Sequence, residues 1–241
     1  ITGGTKGIGL SIVGSFINGG YNVVVGARKD NDLEIKFGSK VKFLSMDVKE
    51  EKGHQDLIKT AIEWTGKIDV YINNAGFSEW RPIENIDESF FQNLIGTNLK
   101  GTIWGCKVAA KAFKDKGVII NISSIAGKRG TVNNSLYCAS KFGVNGLTQA
   151  LAKELGARSI RVNAVCPVLI KTEGLMEALD SPYSPSHKND GFFKQFVNEQ
   201  SALGRLPTGS EVGDLCLFLA SNSSSAITGQ CINIDCGVLP Q

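Results

Sequence analysis

Short apolar runs alternate with amphipathic stretches along the whole chain. The runs NVVVGA (22–27), VKFL (41–44), IDVYI (68–72), GVIINI (117–122), IRVNAV (160–165) and CINID (231–235) are rich in Val and Ile. They are mostly continuous rather than alternating, which suits strands covered on both faces, as in a parallel sheet. Between them apolar positions recur at helical spacing: Ile8, Ile12 and Phe16, then the stretches 54–65, 87–114, 136–157 and 211–220. Asp87 has the chemistry of an N-cap. This alternation predicts an α/β fold: one doubly wound parallel sheet of about seven strands with helices on both faces.

One segment breaks the rhythm. No strand is expected in 168–205, which carries Pro182, Pro185, Tyr183 and the cluster Phe192, Phe193 and Phe196. A long excursion from a compact domain is usually functional or disordered. The phenylalanines predict helices folding over something, so 168–205 is read as a substrate-binding flap. The length of 241 residues fits one domain over 1–241.

Composition narrows the function. The net charge of +3 contains no long Lys/Arg run, and the sparse aromatics form no stacking platform, so nucleic acid is not an expected partner. Six cysteines at 106, 138, 166, 216, 231 and 236 include no C-x-x-C, and there are only two histidines. No metal site is expected, and the thiols read as free in a reducing cytoplasm. No leader is expected, and no apolar run is long enough to span a bilayer, so no membrane is expected.

The chain opens on TGGTKGIG, Thr2 to Gly9. Gly3, Gly7 and Gly9, with Thr5 and Ile8 among them, fit a turn from a first strand into a helix. Glycine serves where backbone needs positive φ or where a ligand must approach closely. The helix N-terminus then offers free N–H groups to a pyrophosphate. A P-loop does not fit, because Lys6 precedes its glycine. Dinucleotide folds often place an acid after the second strand for the ribose 2′-OH. Here Arg28 and Lys29 stand there, and arginine pairs with a 2′-phosphate. Lys6 is placed to reach the same phosphate. The cofactor expected is NADP(H), with NAD(H) the other option.

SLYCASKFG holds Tyr137 and Lys141 at i,i+4, on one helix face. An ammonium near a phenol favours the phenolate, so the tyrosine pKa is expected below its usual value of about 10. That suits a general acid/base. Ser123 and Ser124 end the run GVIINI, and NNAG (73–76) ends the run before it. Ligands bind at such carboxyl ends of parallel strands.

With these residues in view, the whole chain resembles the short-chain dehydrogenase/reductase family, with its Rossmann-like fold. Thr2, Gly3, Gly7 and Gly9 match that family's T-G-x-x-x-G-x-G. NNAG, with Asn74, Ala75 and Gly76, matches its sheet-stabilising motif, and Asp47-Val48 sits where the family has an acid near the adenine. Tyr137 and Lys141 match Y-x-x-x-K, Ser124 the catalytic serine and Asn98 the asparagine of the tetrad. The resemblance implies an oxidoreductase that interconverts a ketone and a secondary alcohol by hydride transfer. Tyr137 would pass the proton and Ser124 would hold the substrate oxygen. Lys141 would tune Tyr137 and bind the nicotinamide ribose, and Asn98 would hold a water linking Lys141 to solvent. Pro167 and Thr172 would lie on the nicotinamide side.

Three departures stand out. Val168 follows Pro167 where the family has glycine, which predicts a locally different loop. Asp235-Cys236-Gly237 replaces Asp-Gly-Gly. Only Ile1 precedes Thr2, so the chain is expected to lack its natural beginning and its first strand to be too short to pair properly. Family members assemble as tetramers or dimers through the helices carrying Asn98 and Tyr137, and the resemblance implies a homo-oligomer here.

The substrate, a small carbonyl or alcohol compound, is expected between Ser78, Glu79 and Trp80, Lys128 and Arg129, and the 168–205 flap. A 3-oxoacyl thioester on an acyl-carrier protein is the alternative within the family. The alternative of another class is a non-catalytic NADP-binding sensor, which would be free to lose Tyr137 or Lys141.

Overall fold

The computed structural model describes residues 1–187, 189 and 191–240. In chain order the elements are α1 (Gly7–Asn18), β1 (Val23–Ala27), α2 (Leu33–Phe37), β2 (Val41–Ser45), α3 (Glu51–Thr65) and β3 (Val70–Asn73). Then come α4 (Glu88–Ile95), α5 (Gly101–Ala112), β4 (Gly117–Ile122), α6 (Ser135–Leu155) and β5 (Ile160–Pro167). The last are α7 (Glu173–Leu179), α8 (Phe192–Gln200), α9 (Gly209–Ala220) and β6 (Cys231–Ile234).

All strand pairs are parallel: β1 with β2, and β3, β4, β5 and β6 in that order. Six strands are thus formed among the described residues, rather than about seven. Ile1 and Thr2 join the two sheets despite their brevity. Gly26 N donates to the Ile1 carbonyl (3.0 Å), Gly3 N to the Gly26 carbonyl (2.8 Å), and Thr2 N to the Ile72 carbonyl (3.0 Å). The expected pairing failure does not occur, because two residues suffice to bridge Gly26 on one side and Ile72 on the other. From this central lane the chain winds out through β1 and β2, then back across to β3. That reversal makes a crevice at the carboxyl ends of the strands.

Continuous strand hydrophobicity follows from burial on both faces. Val23 and Val25 of β1 and Ile120 of β4 pack on one side with Ile12, Val13 and Phe16 of α1 and Val212, Cys216 and Leu219 of α9. Val24 and Ile119 point the other way, onto Leu57 of α3, Cys106 of α5 and Ala152 of α6. Every residue of β4 is buried.

Asp87 caps α4, its carboxylate accepting from Phe90 N at 2.7 Å. The helix expected over 87–114 is interrupted by a π-helical turn, Gly96–Lys100. Such turns are frequent at functional sites. After Pro167, where valine replaces the family's glycine, Val168 keeps negative φ and buries its side chain with Ile125 and Val238. The 168–205 segment forms α7 and α8. Leu175, Ala178 and Leu179 of α7 pack with Phe192, Phe193 and Phe196 of α8 around Trp80.

Candidate active site

The glycine turn is fixed to the next strand end by the NNAG residues. Thr2 Oγ1 accepts from Asn74 N (3.0 Å) and Ala75 N (3.1 Å). Asn74 Nδ2 donates to the Thr2 and Gly3 carbonyls at 2.9 and 3.0 Å. Gly3 and Gly7 take φ of +65° and +56°. A Cβ at Gly9 would overlap the Gly3 carbonyl and Asn74 Nδ2. Lys6, at the N-cap of α1, gives no side-chain cap, so first-turn N–H groups remain available to an anion.

A continuous cleft of about 1910 Å³ runs along these strand ends. It is lined by Gly3, Thr5, Lys6, Gly7, Ile8 and Gly9, then by Arg28, Asp47 and Val48 at one end. Asn74, Ala75, Gly76, Ser124, Tyr137, Lys141 and Thr172 follow. Three of the expected catalytic and cofactor residues do not reach it. Thr2 is buried under the turn that it braces. Pro167 is buried within β5, its carbonyl accepting from Ser124 Oγ at 3.4 Å. Asn98, 1% exposed, sits in the π-helical turn, where Oδ1 accepts from Phe77 N (3.0 Å) and Nδ2 donates to the Phe77 carbonyl (2.8 Å). Nδ2 also donates to Ser140 Oγ at 3.4 Å, so the amide braces Phe77 and α6.

Lys6 also differs from expectation. Its ammonium lies 3.5 Å from Glu173 and 3.9 Å from Glu177 of α7 rather than free for a phosphate. The groups are largely exposed, so the pairing is weak and easily exchanged. Thr172 caps α7, accepting from Leu175 N at 3.2 Å, and stands over Gly7. The expected substrate wall is rearranged too. Glu79 pairs with Arg81 at 2.6 Å, Trp80 is buried against α7 and α8, and Lys128 does not line the cleft. Arg129 does line it and donates to Gln200 Oε1 at 3.0 Å.

Lys141 is 4% exposed and donates to the Ile122 carbonyl at 2.8 Å. Burial pulls its pKa down to about 8. Burial pushes the Tyr137 phenol up to about 12, while the Ser124 hydroxyl beside it pulls the other way. Part of the Tyr137 surface still opens to the cleft. The expected acidification by Lys141 is therefore not seen: desolvation of the phenolate outweighs an ammonium that is itself bonded elsewhere.

Sequence reasoning missed Asn31, Thr131, Val132 and Asn134, all of which line the cleft. Asn31 Nδ2 donates to the Thr5 carbonyl at 3.2 Å and so ties the loop after β1 to the glycine turn. Asn134, three residues before Tyr137, had a visible signal as the polar residue ahead of a helix.

The chain is similar to known proteins over nearly its whole length. Residues 3–239 match the Enoyl-(Acyl carrier protein) reductase family profile. The chain is 35% identical to the 3-oxoacyl-(acyl-carrier-protein) reductase of Chlamydia muridarum, covering 99% of this chain and 95% of that protein. It is 36% identical to a diacetyl reductase, (S)-acetoin forming, of Staphylococcus epidermidis, covering 99% and 97%. An actinorhodin polyketide ketoreductase solved with NADPH superposes with a TM-score of 0.90 at 30% identity, covering 99% and 95%.

Proposed function

This chain belongs to the short-chain dehydrogenase/reductase family, a family of nicotinamide-dependent oxidoreductases of carbonyl and alcohol groups, and from that premise we propose its working parts. Tyr137 is the general acid/base that interconverts a ketone and a secondary alcohol. One observation carries this reading: Ser124, Tyr137 and Lys141 meet in the cleft whose floor is the glycine turn.

The nicotinamide, when bound, supplies or accepts the hydride. The turn of Gly3 and Gly7 and the uncapped start of α1 hold the pyrophosphate. Asp47 and Val48 border the adenine. Tyr137, protonated at neutral pH, gives its proton to the carbonyl oxygen during reduction. Ser124 hydrogen-bonds that oxygen beside the phenol. Lys141, buried and bonded to the Ile122 carbonyl, keeps a positive charge near the phenol. Asn98 acts as a positioning residue, fixing Phe77 next to Gly76. NADP(H) is the preferred cofactor, with Arg28 and an exchangeable Lys6 meeting the 2′-phosphate. The 168–205 flap covers the substrate.

The enzyme is cytoplasmic, in keeping with six unpaired cysteines. It assembles as a homo-oligomer through α4, α5 and α6, which expose Phe91, Ile103 and Phe142. A 3-oxoacyl thioester is the second substrate reading, favoured by the likeness to the Chlamydia muridarum reductase.

The test is NADPH consumption, followed by absorbance, over a panel of ketones and 3-oxoacyl thioesters. Tyr137→Phe should cut kcat by about 10²–10⁴ with NADPH binding retained. Undiminished turnover by that variant would remove Tyr137 from the proton step.

A further inference from the structure

We propose that His54 is a positioning residue for the adenine end of the cofactor, aiming the Asp47 carboxylate at the adenine amino group through the Val48–Lys49 peptide. This rests on the reading of Asp47 and Val48 as the adenine border. His54 lies in the first turn of α3, is 0% exposed and does not line the cleft. Both its ring nitrogens are nevertheless paired. Nε2 lies 2.9 Å from the Val48 carbonyl oxygen and Nδ1 2.7 Å from the Tyr71 hydroxyl.

A carbonyl only accepts, so Nε2 carries the proton and Nδ1 of the neutral ring accepts from Tyr71. Burial favours this pairing: it pulls the His54 pKa below its ordinary value and pushes the Tyr71 phenol up. Tyr71, itself buried in β3, thus sets which nitrogen of His54 faces Val48 as a donor.

The Val48 carbonyl belongs to the same planar unit as the Lys49 N–H, and in a trans peptide the two point in opposite directions. His54 grips one end of that unit. At the other end Lys49 N donates to Asp47 Oδ1 at 2.9 Å. Turning the peptide would break both bonds, so His54 fixes the donor that orients the carboxylate. The unit is also closed in by its neighbours. A Cβ at Gly101 would come within 3.0 Å of the Val48 carbonyl oxygen, and one at Gly53 within 3.2 Å of the Asp47 carbonyl oxygen. Asp47 and Val48 line the cleft at its Arg28 end. The exocyclic amine of adenine is a donor, and a carboxylate only accepts. A correctly aimed Asp47 therefore selects adenine over a base that carries a carbonyl in that place.

The test compares binding of ADP and of IDP, whose hypoxanthine replaces the amine with a carbonyl, by calorimetry. The wild-type protein should favour ADP by about tenfold or more, as a charge-assisted bond implies. His54→Asn, whose amide stops short of Val48, should shrink that ratio at least about threefold, and so should Tyr71→Phe, which releases Nδ1. His54→Gln, whose amide N–H replaces Nε2–H, should retain it. In turnover with NADPH, the His54→Asn loss should fall on KM for the cofactor, with kcat preserved. Thermal melting establishes which variants are folded. A wild-type ratio in folded His54→Asn, or in Tyr71→Phe should His54→Asn not fold, overturns the inference. An equal loss in His54→Gln does the same. Failure of the underlying reading looks different: the wild type does not distinguish ADP from IDP, or Asp47→Ala distinguishes them undiminished.

Discussion

The Lys141 ammonium lies 5.6 Å from the centre of the Tyr137 ring, over its face, while its own hydrogen bond goes to the Ile122 carbonyl. Proximity within one helical turn is therefore not enough to make the phenol acidic. In the cofactor-free protein, burial holds Tyr137 at about 12. The tyrosinate absorbance of the wild type minus that of Tyr137→Phe should show no ionisation below about pH 10, the ordinary tyrosine value. A difference transition near pH 8 would show that the ammonium wins over desolvation.

Lys141 carries the opposite cost. Its pKa falls from 10.5 to about 8 on burial, so the unfolded chain holds this proton more tightly than the folded one. The penalty is fully present below about pH 8 and fades as pH rises toward 10.5. At pH 7 it amounts to about 3 kcal/mol. Losing the bond to the Ile122 carbonyl offsets about 1–2 kcal/mol of any gain. Lys141→Met should thus be more stable by about 1–2 kcal/mol near pH 6.5, and turnover should be largely lost. Urea unfolding at pH 6.5 and at pH 10 checks the sign: the advantage must disappear at the higher pH.

Much of this fold was legible in the chain because both sheet faces are buried. GVIINI reads as a strand from composition alone, and every one of its residues is enclosed. Asp87 was legible as a cap because its bond to Phe90 is local. What was not legible depends on distant partners. The π-helical turn at Asn98 is fixed by Phe77, 21 residues away. Lys6 meets carboxylates on α7 that no local pattern places there. Spacing placed Tyr137 and Lys141 on one face, but burial, which decides their charges, is a property of the packed core.

Cofactor selectivity should reside in Arg28. Its side chain is exposed at the end of the cleft that also holds Asp47. Charge-assisted bonds contribute about 1.5–3 kcal/mol. Arg28→Ala should therefore weaken NADPH binding about 10- to 100-fold and leave NADH binding nearly unchanged, as read by fluorescence titration. Equal loss for both nucleotides would place Arg28 away from the 2′-phosphate.

The turn after β6 holds two consecutive left-handed residues, Cys236 at φ +54° and Gly237 at +79°. Asp235 fixes it, Oδ1 accepting from Gly237 N at 3.0 Å and Oδ2 from Leu239 N at 2.8 Å. A left-handed residue with a Cβ costs about 1–2 kcal/mol, and glycine's extra freedom in the unfolded chain returns about 0.5–1 kcal/mol of that. Cys236→Gly should therefore stabilise the protein by about 0.5–1 kcal/mol, raising Tm by roughly 1–4 °C. Gly237→Ala should do the reverse, because its Cβ would come within 2.6 Å of the Ala202 Cβ as well as taking the unfavourable φ. Thermal melts of the two variants decide the point. The strain argument fails if Cys236→Gly melts below the wild type while Gly237→Ala does not.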